Sequence, residues 1–299
     1  MSQIMRRSSR KRRMPSLIDI RRRIRSVKNT QQITKAMKMV SAAKLRRAQE
    51  RVIAARPYSA MLKQIMADLA NAAATDEDAA ASSMLARREE KRIQLVLLTT
   101  DKGLAGAFNA NLVKAAVRFL QEKNAAQVEF VLAGRKGRDA FRRRGATITS
   151  EHVNLLNKID YKEAAAIARA IVDRYEKGEI DAVYLLNNEF KSVMAQTLSV
   201  QRLLPVELPE QTETRDYIFE QPPLEMLERL LPRYLEVEIY RGLLETAAAE
   251  HAARMTAMDA AATNAGDVIQ TLTLNLNRVR QAAITREIIE VVSGARAGE

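Results

Sequence analysis

The last part of the chain carries a continuous helical pattern. From Met255 onward, apolar residues recur at alternating intervals of three and four, at Met255, Met258, Ala262, Ala265, Ile269, Leu272, Leu276, Val279 and Ala283. This spacing is typical of a helix that lays one apolar seam along another helix. Pro232 suits the first turn of a helix, where its missing N–H is no loss. The pattern predicts one helix over 232–299, about 95 Å long at 1.5 Å per residue, which would project from its globular body.

Small residues make the middle of this helix slim, so other chains can approach it closely: Ala247 to Ala249, Ala252, Ala253, Ala260 to Ala262 and Ala265. The alternative is a surface helix on an ordinary core. That arrangement would need caps and breaks every dozen residues, which the sequence lacks.

A second long helix is predicted at the other end, over 15–70. Ser16 can cap it, apolar residues recur from Leu17 to Leu69, and Pro57 is expected to kink or restart it. Neither long helix can bury its seam alone. We therefore expect them to pair as an antiparallel coiled coil, and the period of 3.5 predicts a left-handed supercoil.

Between the two helices the pattern changes to strands that alternate with helices. Predicted strands are Ile93 to Thr99, Val128 to Ala133, Ala146 to Thr149, Ala182 to Leu186 and Ser192 to Pro205; predicted helices are Ala110 to Glu122, Arg138 to Arg143 and Tyr161 to Lys177. This alternation predicts a Rossmann-like α/β domain with a mainly parallel sheet over 91–208. A linker over 71–90 and a connecting foot segment over 209–231 would flank it.

The amino-acid composition excludes or disfavours several classes of function. The chain has 299 residues, a formal net charge of +13, no cysteine, two histidines and 4% aromatic residues. Disulfides, thiol chemistry and cysteine-bound metal are excluded, and base-stacking platforms are disfavoured. No apolar run reaches the length of a membrane span. Residues 1–14 form a basic tail that we expect to be disordered, with Met14 as the expected true start.

One turn invites a catalytic or phosphate-binding interpretation. Asp101, Lys102, Gly103 and Gly106 follow the first strand, but the two glycines do not have the spacing of a dinucleotide or phosphate-loop motif. The turn could still belong to a nucleotide-binding α/β enzyme. A basic coiled coil could instead bind nucleic acid, although acids of the second helix offset much of its charge. We expect no catalytic, cofactor or metal site.

Three motifs carry a resemblance to a known family: the run from Ile20 to Met37 with Val40 to Leu45 after it, the turn from Thr100 to Asn109, and the end from Ala282 to Ala295. In this order they resemble the gamma subunit of F-type ATP synthase, over roughly Pro15 to Ala297. The basic tail departs from the family pattern. The cysteine-bearing regulatory insert of chloroplast members is absent, which argues against redox control.

The resemblance implies a non-catalytic rotor. The two helices would form a shaft inside the ring of alpha and beta subunits, and the α/β domain would sit on the epsilon subunit and the membrane c-ring. Rotation would couple ion flow, as in hydrogen ion transport, to ATP synthesis, with no nucleic acid and no transmembrane segment of its own. The location implied is peripheral, on the cytoplasmic face of the bacterial inner membrane or the mitochondrial matrix side.

The resemblance also implies roles for particular residues. Those expected to contact beta subunits are Lys35, Met37, Lys38, Arg280, Gln281, Thr285 and Glu287. Those expected to turn in an apolar bearing are Ile284, Ile288, Ile289 and Val292, with Val291 beside them. Those expected to contact the c-ring at the foot are Tyr217, Phe219 and Glu220.

Overall fold

The computed structural model describes residues 16–73, 88–123, 127–193, 195–206 and 220–296. Its elements in chain order are α1 (Leu17–Ala73), β1 (Arg92–Leu98), α2 (Phe108–Glu122), β2 (Gln127–Ala133), α3 (Arg135–Arg142), β3 (Ile148–His152), a 3-10 helix (Leu155–Asn157), α4 (Tyr161–Glu176), β4 (Ala182–Phe190), β5 (Gln196–Leu204) and α5 (Pro223–Arg296). The predicted tail 1–14 lies outside the described residues, as do 74–87 of the predicted linker and 209–219 of the predicted foot segment.

Helix α1 begins at the predicted cap. The Asp19 backbone N–H donates to Ser16 Oγ at 3.2 Å, and the Ser16 backbone N–H donates to Asp19 Oδ2 at 3.2 Å. This reciprocal pair satisfies a backbone donor that the first turn of a helix leaves free. The sequence signal for this end of the helix is therefore confirmed.

The chain divides into two compact units, of which one consists of Met1–Met37 and Asp259–Glu299. In this unit α1 and α5 pack together: Gln31 Nε2 donates to the Ala262 carbonyl oxygen at 3.1 Å. Ile20, Ala262 and Ala265 are buried. A Cβ built on Gly266 would lie 3.2 Å from Gln31 Nε2, so a glycine here allows the close approach. The predicted pairing of the two long helices is confirmed.

The second unit, Lys38–Met258, contains a five-stranded sheet in the order β3-β2-β1-β4-β5. β1 pairs in parallel with β2 and β4, β2 pairs in parallel with β3, and β4 pairs with β5 in antiparallel orientation. Ile93–Leu98 of the central strand is buried, as expected where helices cover both faces of a parallel sheet. The α/β class with a mainly parallel sheet is confirmed.

Helices α1 and α5 also pack together in the second unit, and α5 lies directly on the sheet. Arg56 contacts Glu245 and Ser59 contacts Glu238, so the two helices run antiparallel. A Cβ on Gly242 would lie 3.0 Å from Leu185 Cδ2 and 3.2 Å from Leu98 Cδ1. Strands β1 and β4 therefore approach the backbone of α5 closely at this glycine.

One predicted helix boundary differs from the structure, and it lies at a proline. α5 begins at Pro223 and contains Pro232, so Pro223 rather than Pro232 occupies the first turn. α1 continues through Pro57 to Ala73 instead of restarting there. An internal proline costs a helix about 3 kcal/mol. Both prolines have buried apolar neighbours, Leu231 and Leu235 around Pro232 and Leu62 after Pro57, and burial of apolar side chains stabilises the helix at these points.

Candidate partner-contact surfaces and the glycine turn

The carboxyl ends of β1 and β2 meet at Thr99. Thr99 Oγ1 donates to the Ala133 carbonyl oxygen at 2.8 Å and accepts from the Gly137 backbone N–H at 2.8 Å. Gly134 has a φ of +90°, and a Cβ on it would lie 2.2 Å from the Thr99 carbonyl oxygen. Only glycine fits there. This contact fixes the start of α3 against the end of β1.

Asp101, a sequence candidate for chemistry, holds loops together. Its side chain is 6% exposed, and its Oδ1 accepts from the backbone N–H of Arg135 at 3.2 Å and of Asn154 at 3.0 Å. Lys102, the neighbouring candidate, is exposed. A second acid, Glu250, lies close enough for the charge of Asp101 to raise its pKa, but Glu250 is paired with Arg254. Asp101 instead joins the β1, β2 and β3 ends of the sheet.

The glycine turn packs on α5. The buried side chain of Arg254 donates from Nε and Nη2 to the Gly103 carbonyl oxygen, at 3.4 and 3.3 Å, and from Nη2 to Glu250 Oε1 at 2.5 Å. Gly106 has a φ of +58°, and a Cβ on it would lie 3.7 Å from Ala257 Cβ. The turn therefore docks the α/β domain onto one segment of α5. The phosphate-cradle interpretation gains no support from this geometry.

Burial and positive charge shape the titration of this segment. Burial is the main cause that lowers the pKa of His251 to about 4, and the positive charges of Arg254, Lys44 and Lys102 contribute to the same shift. Burial also raises the pKa of the Glu250 carboxyl, against the opposing effect of Arg254. The imidazole of His251 is therefore neutral at pH 7.

Several acids of α5 are buried, which the sequence patterns did not predict. In the sequence they count only as negative charge that offsets the basic residues. Glu245 accepts from Arg56 Nη2 at 3.0 Å and from the Phe190 backbone N–H at 2.8 Å. Glu238 accepts from Ser59 Oγ at 2.8 Å and from Arg241 Nη2 at 2.8 Å. Burial alone would raise the pKa of Glu238, but Arg241 and these hydrogen bonds hold it below its usual value.

A sequence signal for these acids exists. Residues 243–253 are apolar on all sides of the helix except at Glu245, Thr246, Glu250 and His251. A helix that is apolar on all sides is buried. Acids inside such a segment must be paired, because an unpaired buried carboxylate is costly. This reasoning would have placed Glu245 and Glu250 in ion pairs.

The residues predicted to contact beta subunits occupy two groups. The first group lies on α1, where Lys35 is exposed and Met37 and Lys38 are half-buried. The second group is exposed throughout: Arg280, Gln281, Thr285 and Glu287. Thr285 Oγ1 donates to the Gln281 carbonyl oxygen at 3.0 Å within α5.

The predicted bearing is the exposed apolar end of α5. Exposed fractions are 48% for Ile284, 57% for Ile288, 59% for Ile289 and 51% for Val292. The seam before it is less exposed: Ala262 and Ala265 are buried, and Ile269, Leu272, Leu276 and Val279 are half-buried. Every side chain from 281 to 294 is exposed. Large apolar side chains presented together in this way mark an interaction surface.

At the predicted foot, Glu220 is exposed, and Tyr217 and Phe219 lie outside the described residues. Within the described parts of the chain, no helix is long and apolar enough to cross a membrane. The same residues contain no cluster of three or more histidines and acids that could hold a metal ion.

Comparisons with known proteins cover almost the whole chain. A protein-family model for ATP synthase matches residues 16–297. The ATP synthase gamma chain of Solibacter usitatus is 63% identical over 286 residues, which are 96% of this chain and 100% of that one. The gamma chain of Pelotomaculum thermopropionicum is 48% identical over 289 residues, with 96% and 100% covered.

Solved structures agree on the fold. A chain from the central stalk and c-ring of the Tetrahymena thermophila mitochondrial ATP synthase has a TM-score of 0.59 at 26% identity, covering 77% of this chain and 99% of that one. A chain of the Euglena gracilis mitochondrial ATP synthase has a TM-score of 0.65 at 19% identity, with 94% of each covered. With the family model and the close relatives, these findings show that the chain belongs to the ATP synthase gamma-chain family.

Proposed function

We propose that the chain is the central rotating shaft of an F-type ATP synthase. It couples ion flow through the membrane c-ring to ATP synthesis at the beta subunits and catalyses nothing itself. The observation that carries this proposal is the 63% identity to a gamma chain over 96% of the sequence. The likeness to a chain of a solved central stalk and c-ring structure, with a TM-score of 0.59 at 26% identity, supports the same role.

The exposed apolar end of α5 fits the role of a bearing. Ile284, Ile288 and Ile289 are exposed, and apolar side chains make no directional bonds that would hold one angular position. A ring of alpha and beta subunits around this end would cover the isoleucines while letting them turn. The exposed polar residues Arg280, Gln281 and Glu287 would then make directional contacts with moving beta-subunit loops.

The first helix supplies a second contact in this proposal. Lys35, Met37 and Lys38 face an acidic beta-subunit loop, with the flexible thioether of Met37 sliding past neighbouring surfaces. Glu220, with Tyr217 and Phe219, contacts the c-ring, and the α/β domain sits on the epsilon subunit. The chain is then a peripheral subunit at the cytoplasmic face of the bacterial inner membrane.

The buried contacts of α5 suit the transmission of torque. Arg254 ties α5 to the carbonyl oxygen of Gly103, and Glu245 ties it to Arg56 of α1 and to the backbone of β4. Several buried hydrogen bonds between the same elements resist sliding of one past another. The α/β domain can therefore turn together with the helices of its own unit.

Two alternatives are not favoured. For a nucleotide-binding enzyme, the glycine turn would have to cradle phosphate, yet it docks α5 through Gly103 and Gly106. A nucleic-acid-binding coiled coil would not explain the 63% identity to an ATP synthase gamma chain over 96% of the sequence. Acids of α5 also neutralise part of the basic charge, because Glu245 pairs with Arg56 and Glu238 pairs with Arg241.

Copurification tests the proposal. An affinity tag inserted into the exposed turn 143–145, which follows α3, should bring down the alpha, beta and epsilon subunits and the c-ring from detergent-treated membranes. Recovery of the chain alone, with thermal stabilisation by ATP, would support the enzyme alternative. Recovery with nucleic acid that survives high salt would support the other.

A further inference from the structure

A cavity of about 310 Å³ lies within the second unit, and its charged lining is almost all positive. Its walls come from α1, α5, the connection between β3 and α4, and the glycine turn. The charged and titratable side chains that line it are Lys44, Arg47, Arg51, Lys102, Glu250, His251 and Arg254. Five of these are cations and one is an acid.

Two of the cations already have partners. Arg51 Nη2 donates to the Ile159 carbonyl oxygen at 2.7 Å, and Arg254 holds Glu250 and the Gly103 carbonyl oxygen. Lys44, Arg47 and Lys102 form no ion pair with any residue that the structure describes, and all three are exposed to solvent. Three cations from α1 and the glycine turn therefore border one cavity without an ion-pair partner among the described residues.

The two acids nearby are held by other partners. Glu250, on which the charge of Lys44 also acts, is paired with Arg254. Asp101 accepts from two backbone N–H groups and lies 3.8 Å from Arg135 Nε. Arg254 Nη1 lies 3.4 Å from His251 Nδ1. A guanidinium only donates, so we assign the imidazole proton to Nε2. His251 thus adds a neutral donor to the lining.

We propose that this cavity binds a small multivalent oxyanion of the polyphosphate or organic-phosphate class. Its volume lies at the lower end of small-molecule pockets, and lysine and arginine are the side chains that bind phosphate groups. All three cations line the same cavity of about 310 Å³, so a small ligand inside it would lie beside each of them. Such a ligand would bridge α1 and the glycine turn beside α5.

Calorimetry on the purified full-length chain tests this assignment, with sodium tripolyphosphate as the probe in magnesium-free buffer at low ionic strength. Saturable binding to one site is expected, tighter than for orthophosphate. Lys44→Gln and Lys102→Gln should each weaken tripolyphosphate binding at least about tenfold, equivalent to ~1.4 kcal/mol. Arg46→Gln removes the same charge from an 85% exposed side chain of α1 and should change binding less than about twofold.

Several results would overturn the assignment. One is the absence of saturable heat with the unmodified chain. Another is equal weakening by all three substitutions, which would reveal only the diffuse attraction of a basic protein. A third is saturable binding of a poly-glutamate peptide without binding of tripolyphosphate, which would assign the surface to a protein partner. Circular dichroism of each variant establishes that it is folded.

Discussion

Arg254 and Glu250 form a buried ion pair one turn apart on α5, with 2.5 Å between Arg254 Nη2 and Glu250 Oε1 and side chains only 10% and 8% exposed. Removing one partner leaves a buried, unpaired charge, so Arg254→Met should lower the free energy of unfolding by about 3–5 kcal/mol. Combining it with Glu250→Leu should restore much of the loss. Urea unfolding of the single and double variants measures both.

The matched control is Arg118→Met in α2. Arg118 and Glu122 have the same spacing, but their side chains are 80% and 58% exposed. Because water screens this pair, the control should cost less than about 1 kcal/mol. Equal losses for Arg254→Met and Arg118→Met would mean that the buried pair does not anchor the helix.

Gly134 and Gly145 allow a paired test of the contact with Thr99. Both have positive φ, +90° and +66°, but a Cβ on Gly134 would lie 2.2 Å from the Thr99 carbonyl oxygen, whereas a Cβ on Gly145 would meet nothing within 4 Å. Gly145→Ala should cost about 1 kcal/mol of stability from backbone strain alone. Gly134→Ala should prevent recovery of folded protein, as judged by thermal unfolding. Similar melting temperatures for the two variants would contradict the close contact.

His251 predicts how stability depends on pH. Its folded-state pKa of about 4 lies below the ordinary histidine value of 6.5, so between these values the unfolded chain binds a proton that the folded chain excludes. Stability from this group is therefore present above about pH 6.5 and is lost as the pH falls. Between pH 7 and pH 5 the loss should be about 2 kcal/mol. Glu250, with its raised pKa, acts in the opposite direction.

Comparing the chain with His251→Gln isolates the contribution of this histidine. The difference in unfolding free energy between pH 7 and pH 5 should be smaller for the variant by about the same 2 kcal/mol. Burial also lowers the pKa of His152. This residue is present in both proteins, so its contribution cancels in the comparison. An unchanged difference would show that the imidazole of His251 is accessible to protons in the folded chain.

Sequence patterns predicted the parts of the fold that rest on local periodicity. The seam residues from Ala262 to Val279 are buried or half-buried, because the three-and-four spacing is itself the geometry of one helix face. The strand runs were recognisable because buried parallel strands are apolar on both faces. Ile284 and Ile288, which are exposed, also lie four residues apart on one helix face. The pattern alone does not distinguish an exposed apolar face from a buried one.

The remaining features depend on partners far apart in sequence. Arg254 and Gly103 are separated by 151 positions, and no periodicity links an arginine to a carbonyl oxygen at such a distance. The predicted start at Pro232 was wrong because Pro223 offers the same local signal. Leu227 and Leu231 lie between the two prolines and are buried. Their packing, which the sequence pattern does not show, makes the helix begin at Pro223 rather than at Pro232.

Met37→Lys tests the proposed contact of the first helix. Met37 is half-buried, and an added ammonium would gain a charge-assisted contact of roughly 1.5–3 kcal/mol with an acidic loop, enough to slow one rotational substate about tenfold or more. ATP hydrolysis should persist while ATP-driven ion pumping in the same vesicles falls disproportionately. Met39→Lys, at a 71% exposed side chain on another face of α1, should change neither.

Arg280→Ala provides the contrasting outcome in the same vesicles. Removing a directional contact with a moving beta-subunit loop should lower hydrolysis and pumping in equal proportion. If Met37→Lys behaves in that way, or changes neither activity, Met37 does not lie where torque is transmitted.

Direct observation of rotation tests the shaft itself. The chain has no cysteine, so Arg143→Cys, at an exposed position after α3, gives it a unique thiol for attaching a gold particle. The alpha–beta ring, with its own cysteines removed, is fixed to glass through the beta subunits. A rotating shaft predicts that ATP drives stepwise, unidirectional rotation of the particle that stops when ATP is withdrawn. A particle that stays at one angle while the same complexes hydrolyse ATP at their normal rate would contradict it.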